Sequence, residues 1–158
     1  MPSQTTPSLF AIEPRAHKDY QMSEQHKELI RRFYGEVENQ LKLDVADELF
    51  HPDFKDVYNT VAPFPVIGIK GIKDLAVALH EAMNSEIVIE DLIAEGDRVI
   101  ARITSRPRGP EGGPGDESHA VHGVEIFRVA EGKLIERWVF IDLLPMFRQK
   151  GVLPPQFA

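Results

Sequence analysis

The sequence predicts an α+β fold in which helices cover one face of a curved antiparallel sheet. Three observations predict it. Apolar residues recur at helical spacing through the first half of the chain. Runs rich in Ile and Val follow from Glu86 onward, and the turns between those runs carry glycine where tight antiparallel connections need it. At 158 residues, with 42% hydrophobic and 27% charged residues, the chain fits one soluble folding unit built on a single core.

Met1 to Met22 holds Pro2, Pro7 and Pro14 among scattered charges and lacks an apolar run long enough for a signal peptide or membrane span, so an extended arm is expected. Ser23 and Glu24 open an amphipathic helix with Leu29, Ile30, Phe33, Tyr34 and Val37 on its apolar stripe. Asp44 is expected to cap a second, short helix carrying Val45, Ala46, Leu49 and Phe50, which ends at His51-Pro52 because proline disfavours helical geometry in the residue before it. A first strand runs from Phe54 to about Asn59. Gly68 and Gly71 then lead into a third helix with Ile72, Leu75, Ala76, Leu79 and Met83 on one face.

Four further strands are predicted: Ile87 to Ala94, Val99 to Arg106, His119 to Val129, and Leu134 to Asp142. Ala94-Glu95-Gly96-Asp97 and Ala130-Glu131-Gly132-Lys133 both read as a type I turn followed by a glycine bulge. Pro107 to Glu117 is too rich in Gly and Pro for a strand and reads as a flap. Leu143 to Lys150 supplies a short closing helix.

The net charge of −7 argues against a nucleic-acid groove, which needs clustered Lys and Arg. The absence of cysteine excludes disulfides, thiolate metal sites and cysteine nucleophiles, and fits a cytoplasmic location. His119 and His122, three apart on a strand, point to opposite faces and are not expected to share a metal.

The last predicted strand ends on an acid. Trp138, Phe140 and Asp142 alternate onto one face, and a carboxyl held against aromatic surface can rise into the range where it both gives and takes protons. With the bulge counted, Val129 faces Lys133, Trp138 faces Val124, Phe140 faces His122, and Asp142 faces Ala120. His122 is then diagonal to Asp142, within about 7–8 Å at the backbone. This pair is the expected catalytic constellation, with Val124 as a pocket residue and Trp138 and Phe140 as either core or pocket wall, two roles the sequence does not separate. Asp142 as a cap for the closing helix is the compatible structural alternative. Tyr34 from the first helix, and Asp56 and Tyr58 from one face of the first strand, are further pocket candidates. Arg102 is read either as an anchor for an anionic substrate or as the partner of Glu90 or Glu86. The opposite face, with Glu125 set across from Arg137 among Val121, Phe127, Ile135, Val139 and Ile141, is expected to be the outer face, its apolar surface covered by a second copy and its ion pair structural.

The order of elements, together with Phe33-Tyr34, Leu49-Phe50-His51-Pro52-Asp53-Phe54, Gly68-Ile69-Lys70-Gly71, the run from Ile89 to Val99, Ile126-Phe127-Arg128-Val129, the run from Glu131 to Glu136, and Trp138 with Asp142, resembles the SnoaL-like polyketide cyclases of the nuclear transport factor 2-like superfamily. The resemblance spans roughly Glu24 to Gly151. It implies a cone of bent sheet wrapped around three N-terminal helices, a deep apolar pocket, a homodimer, and no metal or organic cofactor. Asp142 matches the acid that such cyclases use as general acid/base in an intramolecular aldol reaction, and His122 would assist at an oxygen. Val57 stands where family members commonly carry a histidine. Other readings of the same fold are a binding or assembly module without chemistry, or a hydratase, dehydratase or epoxide hydrolase. Limonene-type epoxide hydrolases of this superfamily need two acids bridged by an arginine, for which Asp142, Arg102 and Asp56 are the candidates. The expected partner is a small apolar carbonyl compound, with neither nucleic acid nor membrane.

Overall fold

The structure is a computed structural model that describes residues 14–109, 112–113 and 115–152. Helix α1 (Pro14–Arg32) runs directly into a π-helical turn, Phe33–Glu38, and is followed by α2 (Val45–Leu49), β1 (Phe50–Asn59) and α3 (Gly68–Met83). Strands β2 (Ser85–Glu95) and β3 (Arg98–Pro107) form the first hairpin, β4 (Val121–Ala130) and β5 (Lys133–Ile141) the second, and α4 (Leu144–Gln149) closes the described chain. The five strands make one open sheet in the order β1-β5-β4-β3-β2. It is mixed and not wholly antiparallel, because β1 lies parallel to β5 with α3, β2, β3 and β4 between them in sequence.

The part of the expected arm from Pro14 to Met22 is helical; residues 1–13 lie outside the described part of the chain. Proline suits the first turn of a helix, where its missing N–H is not needed. Residues 17–22 face solvent, so no apolar stripe marks them in the sequence, and a His17–Gln21 side-chain hydrogen bond of 2.9 Å spans one turn. Asp44 precedes α2 as expected but makes no side-chain capping bond. The tip of the expected flap, residues 110, 111 and 114, also lies outside the described residues. Its base is tied down, with Gly115 N–H donating to Pro107 O and Arg108 N–H to Asn84 O, both at 2.9 Å.

The core lies between the helices and the concave face of the sheet. Phe33, Phe50, Phe54 and Phe127 are fully buried there, Phe33 meeting Phe50 and Phe127 edge to face with ring centres 5.2 and 5.9 Å apart. Asn39 fastens the end of the π-helical turn to the edge strand β2: its amide donates to Ile87 O at 2.9 Å and accepts from Ile87 N–H at 2.8 Å.

The second hairpin differs from its predicted form, and the difference moves the register. Ala130 pairs with Lys133 across a two-residue loop in which both Glu131 (φ 52°) and Gly132 (φ 73°) are left-handed, the geometry of a type I′ turn. A bulge between Arg128 and Val129 then adds a second offset, so that Phe140 pairs with Val124, Trp138 with Ile126, and Arg137 with Phe127. The register is displaced by two residues from the expected one. Because two is the period of a strand, residues expected to share a face still do.

Candidate active site

The concave side of the sheet lines a partly open cavity of about 420 Å³. Its walls are apolar: Leu75 and Leu79 from α3, Ile103 from β3, Val121 from β4, Val139 and Ile141 from β5, and Leu143 and Met146 from the closing segment. One end is polar, and there Tyr34 and Glu38 meet Glu125 and Arg137.

The π-helical turn supplies the first two. Asn39 N–H reaches back five residues to Tyr34 O (2.9 Å), and the widened turn presents both Tyr34 and Glu38 to the cavity. Alternation along β4 and β5 supplies the others, since Glu125 and Arg137 sit on the buried face of their strands. Arg137 grips Asp56 of β1 with two parallel bonds, Nε to Oδ1 at 2.7 Å and Nη2 to Oδ2 at 2.8 Å, and places Nη1 3.4 Å from Glu125 Oε2. Asn59 adds a third bond to Asp56, Nδ2 to Oδ2 at 2.7 Å. The guanidinium also lies over the Phe33 ring, 5.5 Å from its centre.

This group holds one cation against three carboxyls, Asp56, Glu125 and Glu38, with Arg137 and the Asp56 side chain each only 3% exposed. Full ionisation would leave two uncompensated negative charges in a poorly solvated space. The titration of the group reflects this. Burial pushes the Glu38 carboxyl up to about 7, against the pull of Arg137 and with Glu125 and Asp56 adding to the rise. Residue Glu38 itself is only half-buried, as befits a carboxyl ringed by protein that looks into a cavity. Burial likewise raises Glu125, offset in part by Arg137 and by the nearby Tyr34 hydroxyl. Desolvation works to lower Arg137, but Glu125, Asp56 and Glu38 outweigh it and hold the guanidinium firmly charged. Tyr34 is pushed well above the ordinary phenol range, first by burial and then by the Glu125 charge. Its hydroxyl is near enough to Glu125 for each to perturb the other, yet it makes no well-formed hydrogen bond among the described residues. The hydroxyl thus stands beside a carboxylate at the cavity surface without being locked to it, and is placed to turn toward an oxygen in the cavity.

The structure brings together two of the nine residues expected to form the site. Tyr34 borders the cavity and Asp56 stands behind Arg137. The remaining seven lie on the convex face. Asp142 and His122 do share a surface, with Asp142 N–H donating to His122 O at 2.9 Å, but both are exposed and border only an open depression together with Arg102, Val124 and Phe140. The expectation that they look into an enclosed chamber is therefore corrected. Asp142 Oδ1 accepts from Leu144 N–H at 3.0 Å, the helix-entry role set out as its alternative. His122 Nδ1 is 3.0 Å from Thr104 Oγ1. Phe140 stacks on Tyr58 with ring centres 5.1 Å apart, and Trp138 lies under Arg98 at 5.0 Å. Arg102 is ion-paired, to Asp91 at 2.6 Å and not to Glu90 or Glu86.

Two physical causes account for the inversion. A bulge at Val57 sets Asp56 beside Arg137 and Tyr58 beside Trp138, so Asp56 and Tyr58 fall on opposite faces although two apart in sequence. The face expected to be outer and covered by a second copy is the inner one, where Val121, Phe127 and Val139 are buried in the chain's own core. Glu125 pairs across the strand with Val139, two residues beyond Arg137 on the same face, and is part of the cavity instead of a peripheral ion pair. Glu38 was not singled out; its signal was an acid four residues after a core tyrosine on the apolar side of a helix. Among the described residues, no group of three or more His, Cys, Asp or Glu side chains is arranged to hold a metal ion, and no helix is long and apolar enough to cross a membrane.

Comparison with known proteins agrees with this architecture. A protein provisionally described as a SnoaL-like polyketide cyclase, from a Jannaschia species, superposes with a TM-score of 0.63 at 29% identity, covering 84% of this chain and 95% of its own. TsrD from Streptomyces laurentii gives 0.63 at 26% identity, covering 82% and 97%. A protein from Acidithiobacillus ferrooxidans, provisionally described as a polyketide cyclase, gives 0.68 at 19% identity, covering 81% and 95%, a likeness of fold. No curated protein matches at a significant level. The sequence profile of the SnoaL-like polyketide cyclases matches residues 28–150, which take in every strand and, of α1, only its C-terminal end, and the chain belongs to that family.

Proposed function

We propose that the chain is a cofactor-independent enzyme that moves a proton next to a carbonyl in a small apolar compound, in the manner of an aldol cyclisation, with Glu38 as general acid/base. One observation carries the reading: the Tyr34 hydroxyl, which makes no well-formed hydrogen bond, and a carboxyl that titrates near 7 border one cavity from the same helical turn. A base works best with a pKa near the operating pH, which Glu38 meets. Its carboxylate takes the proton α to the carbonyl, and the negative charge passes to the carbonyl oxygen. Tyr34, kept neutral by its raised pKa, donates to that oxygen, and the Arg137 cation stabilises it. The enolate carbon attacks a second carbonyl of the same molecule, and protonated Glu38 returns its proton to the new alkoxide. The expected assignment of this chemistry to Asp142 gives way to Glu38, since Asp142 stands in solvent.

The test is deuterium wash-in at the α-carbon of an aryl β-keto ester, followed by NMR. The native chain should accelerate exchange, and Glu38→Gln should remove about a hundredfold or more of that acceleration. Equal rates for the two proteins would reject the reading.

A second reading has its own support. Asp56 and Glu125 are two carboxyls bridged by one guanidinium, the arrangement needed for adding water to an epoxide. Incorporation of heavy-oxygen water into an aryl glycidyl ether would favour it over carbonyl chemistry. The expected homodimer passes to the convex face, where Tyr58, Phe140, Val124 and Ile100 are all exposed; a monomeric mass by light scattering at micromolar concentration would dismiss it.

A further inference from the structure

We infer that the ligand carries an anionic group at the end remote from its reacting carbonyl, and that Lys150 holds that group at the cavity mouth. The inference rests on the cavity being the substrate site. Beside the main chamber lies a second space of about 230 Å³. Ala82, Met83, Ser105, Val121, Met146 and Lys150 border both, so the smaller space is a vestibule opening through the same neck.

The charges along this path run in one direction. The inner end holds Glu38 and Glu125 at the cavity surface, and its only cation among the described residues, Arg137, is already committed to Asp56 and Glu125. An anion is repelled there. The vestibule is the reverse. In a chain with 25 acidic residues, no carboxylate borders it among the described residues. Its charge-bearing residues are Lys150 and His119, accompanied by the hydroxyls of Ser85, Ser105 and Ser118. Asp116 Oδ2 sits 3.3 Å from His119 Nδ1 and answers that imidazole. Lys150 makes no ion pair among the described residues and is the uncompensated cation of the neck. A ligand long enough to reach both ends is therefore oriented by charge: a neutral carbonyl goes inward to Tyr34, and a carboxylate, sulfonate or similar anion stays outward at Lys150.

The experiment uses two fluorescent probes of matched shape, anilinonaphthalene sulfonate and neutral N-phenylnaphthylamine, titrated into the full chain at low salt. The native chain should prefer the sulfonate. Lys150→Gln should weaken the sulfonate about tenfold, leaving the neutral probe unchanged, and Lys150→Glu should weaken it further. Ala82→Trp, which narrows the neck from an exposed position on α3, should weaken both probes. Equal affinity of the native chain for the two probes, an unchanged ratio in both Lys150 variants, or sulfonate binding indifferent to Ala82→Trp would each overturn the inference. Because no turnover is needed, Glu38→Gln should keep the sulfonate preference whether or not it abolishes exchange, which separates failure here from failure of the catalytic reading.

Discussion

The two faces of β4 and β5 present the same kinds of residue and do opposite things with them. On the convex face, Trp138, Phe140, His122 and Asp142 lie in or near solvent and make local contacts: a stack with Tyr58, a bond to Thr104, and a bond to Leu144 N–H. On the concave face, Glu125 and Arg137 occupy equivalent positions, yet burial forces them into a shared charge network with Asp56, Glu38 and Tyr34. Residue type does not separate the faces; solvent does. A carboxyl becomes an acid/base near neutral pH when water cannot reach it freely and one cation must serve several anions, and only the inner face meets that condition.

The largest break in this contrast should come from Arg137. Arg137→Met leaves Asp56 and Glu125 buried without a counter-charge, and about 3–5 kcal/mol of stability should be lost in urea unfolding at neutral pH, together with all exchange activity. Lowering the pH should restore part of that stability by protonating the stranded carboxyls.

Glu38 should show the next effect, and its sign runs opposite to the usual acid. Its folded pKa of about 7 stands above the ordinary 4.5, so the fold binds its proton more tightly than the unfolded chain does. The associated stability is fully present below about 4.5 and is lost as the pH rises through about 7. Glu38→Gln should therefore stabilise the protein by about 2 kcal/mol at pH ~8 and change little at pH ~4, a figure already reduced for the carboxyl's access to the cavity. A native rate profile that rises with an inflexion near 7 should disappear in the same variant.

Tyr34→Phe sharpens the comparison from the other side. It removes a hydroxyl that has no well-formed bond to lose, so stability should hold within about 0.5 kcal/mol while exchange slows about tenfold. Severe destabilisation would mean that the hydroxyl is structural. The smallest effect is expected on the convex face. Asp142→Ala should cost about 0.5–1 kcal/mol through the lost bond to Leu144 N–H and leave exchange within about twofold. A large catalytic loss there would reverse the assignment of the two faces.

Strand order within the hairpins, the core helices and the family were legible because alternation and helical spacing report burial directly. Which face of β5 turns inward was not. Trp138 and Phe140 on one side and Val139 and Ile141 on the other are both apolar enough to be core, and period two says only which residues share a face. The buried Glu125 and Arg137 made the inner face resemble an outer one. Asp56 and Tyr58 were split by a bulge that no glycine or proline announces. The register moved by one residue at Glu131, whose left-handed backbone turns a three-residue loop into a two-residue one, and by one more at the bulge between Arg128 and Val129. Glu38 was hidden by its context, since an acid beside an apolar stripe ordinarily faces water.

The Asn39 clamp on Ile87 has a consequence beyond anchoring the π-helical turn. Strand β2 is a free border of the sheet, and an open border can recruit a strand from another molecule. By occupying both the amide and the carbonyl of Ile87, Asn39 removes one docking rung from that border. The residue that ends the helix carrying the candidate base thus also makes that rung unavailable to an incoming strand.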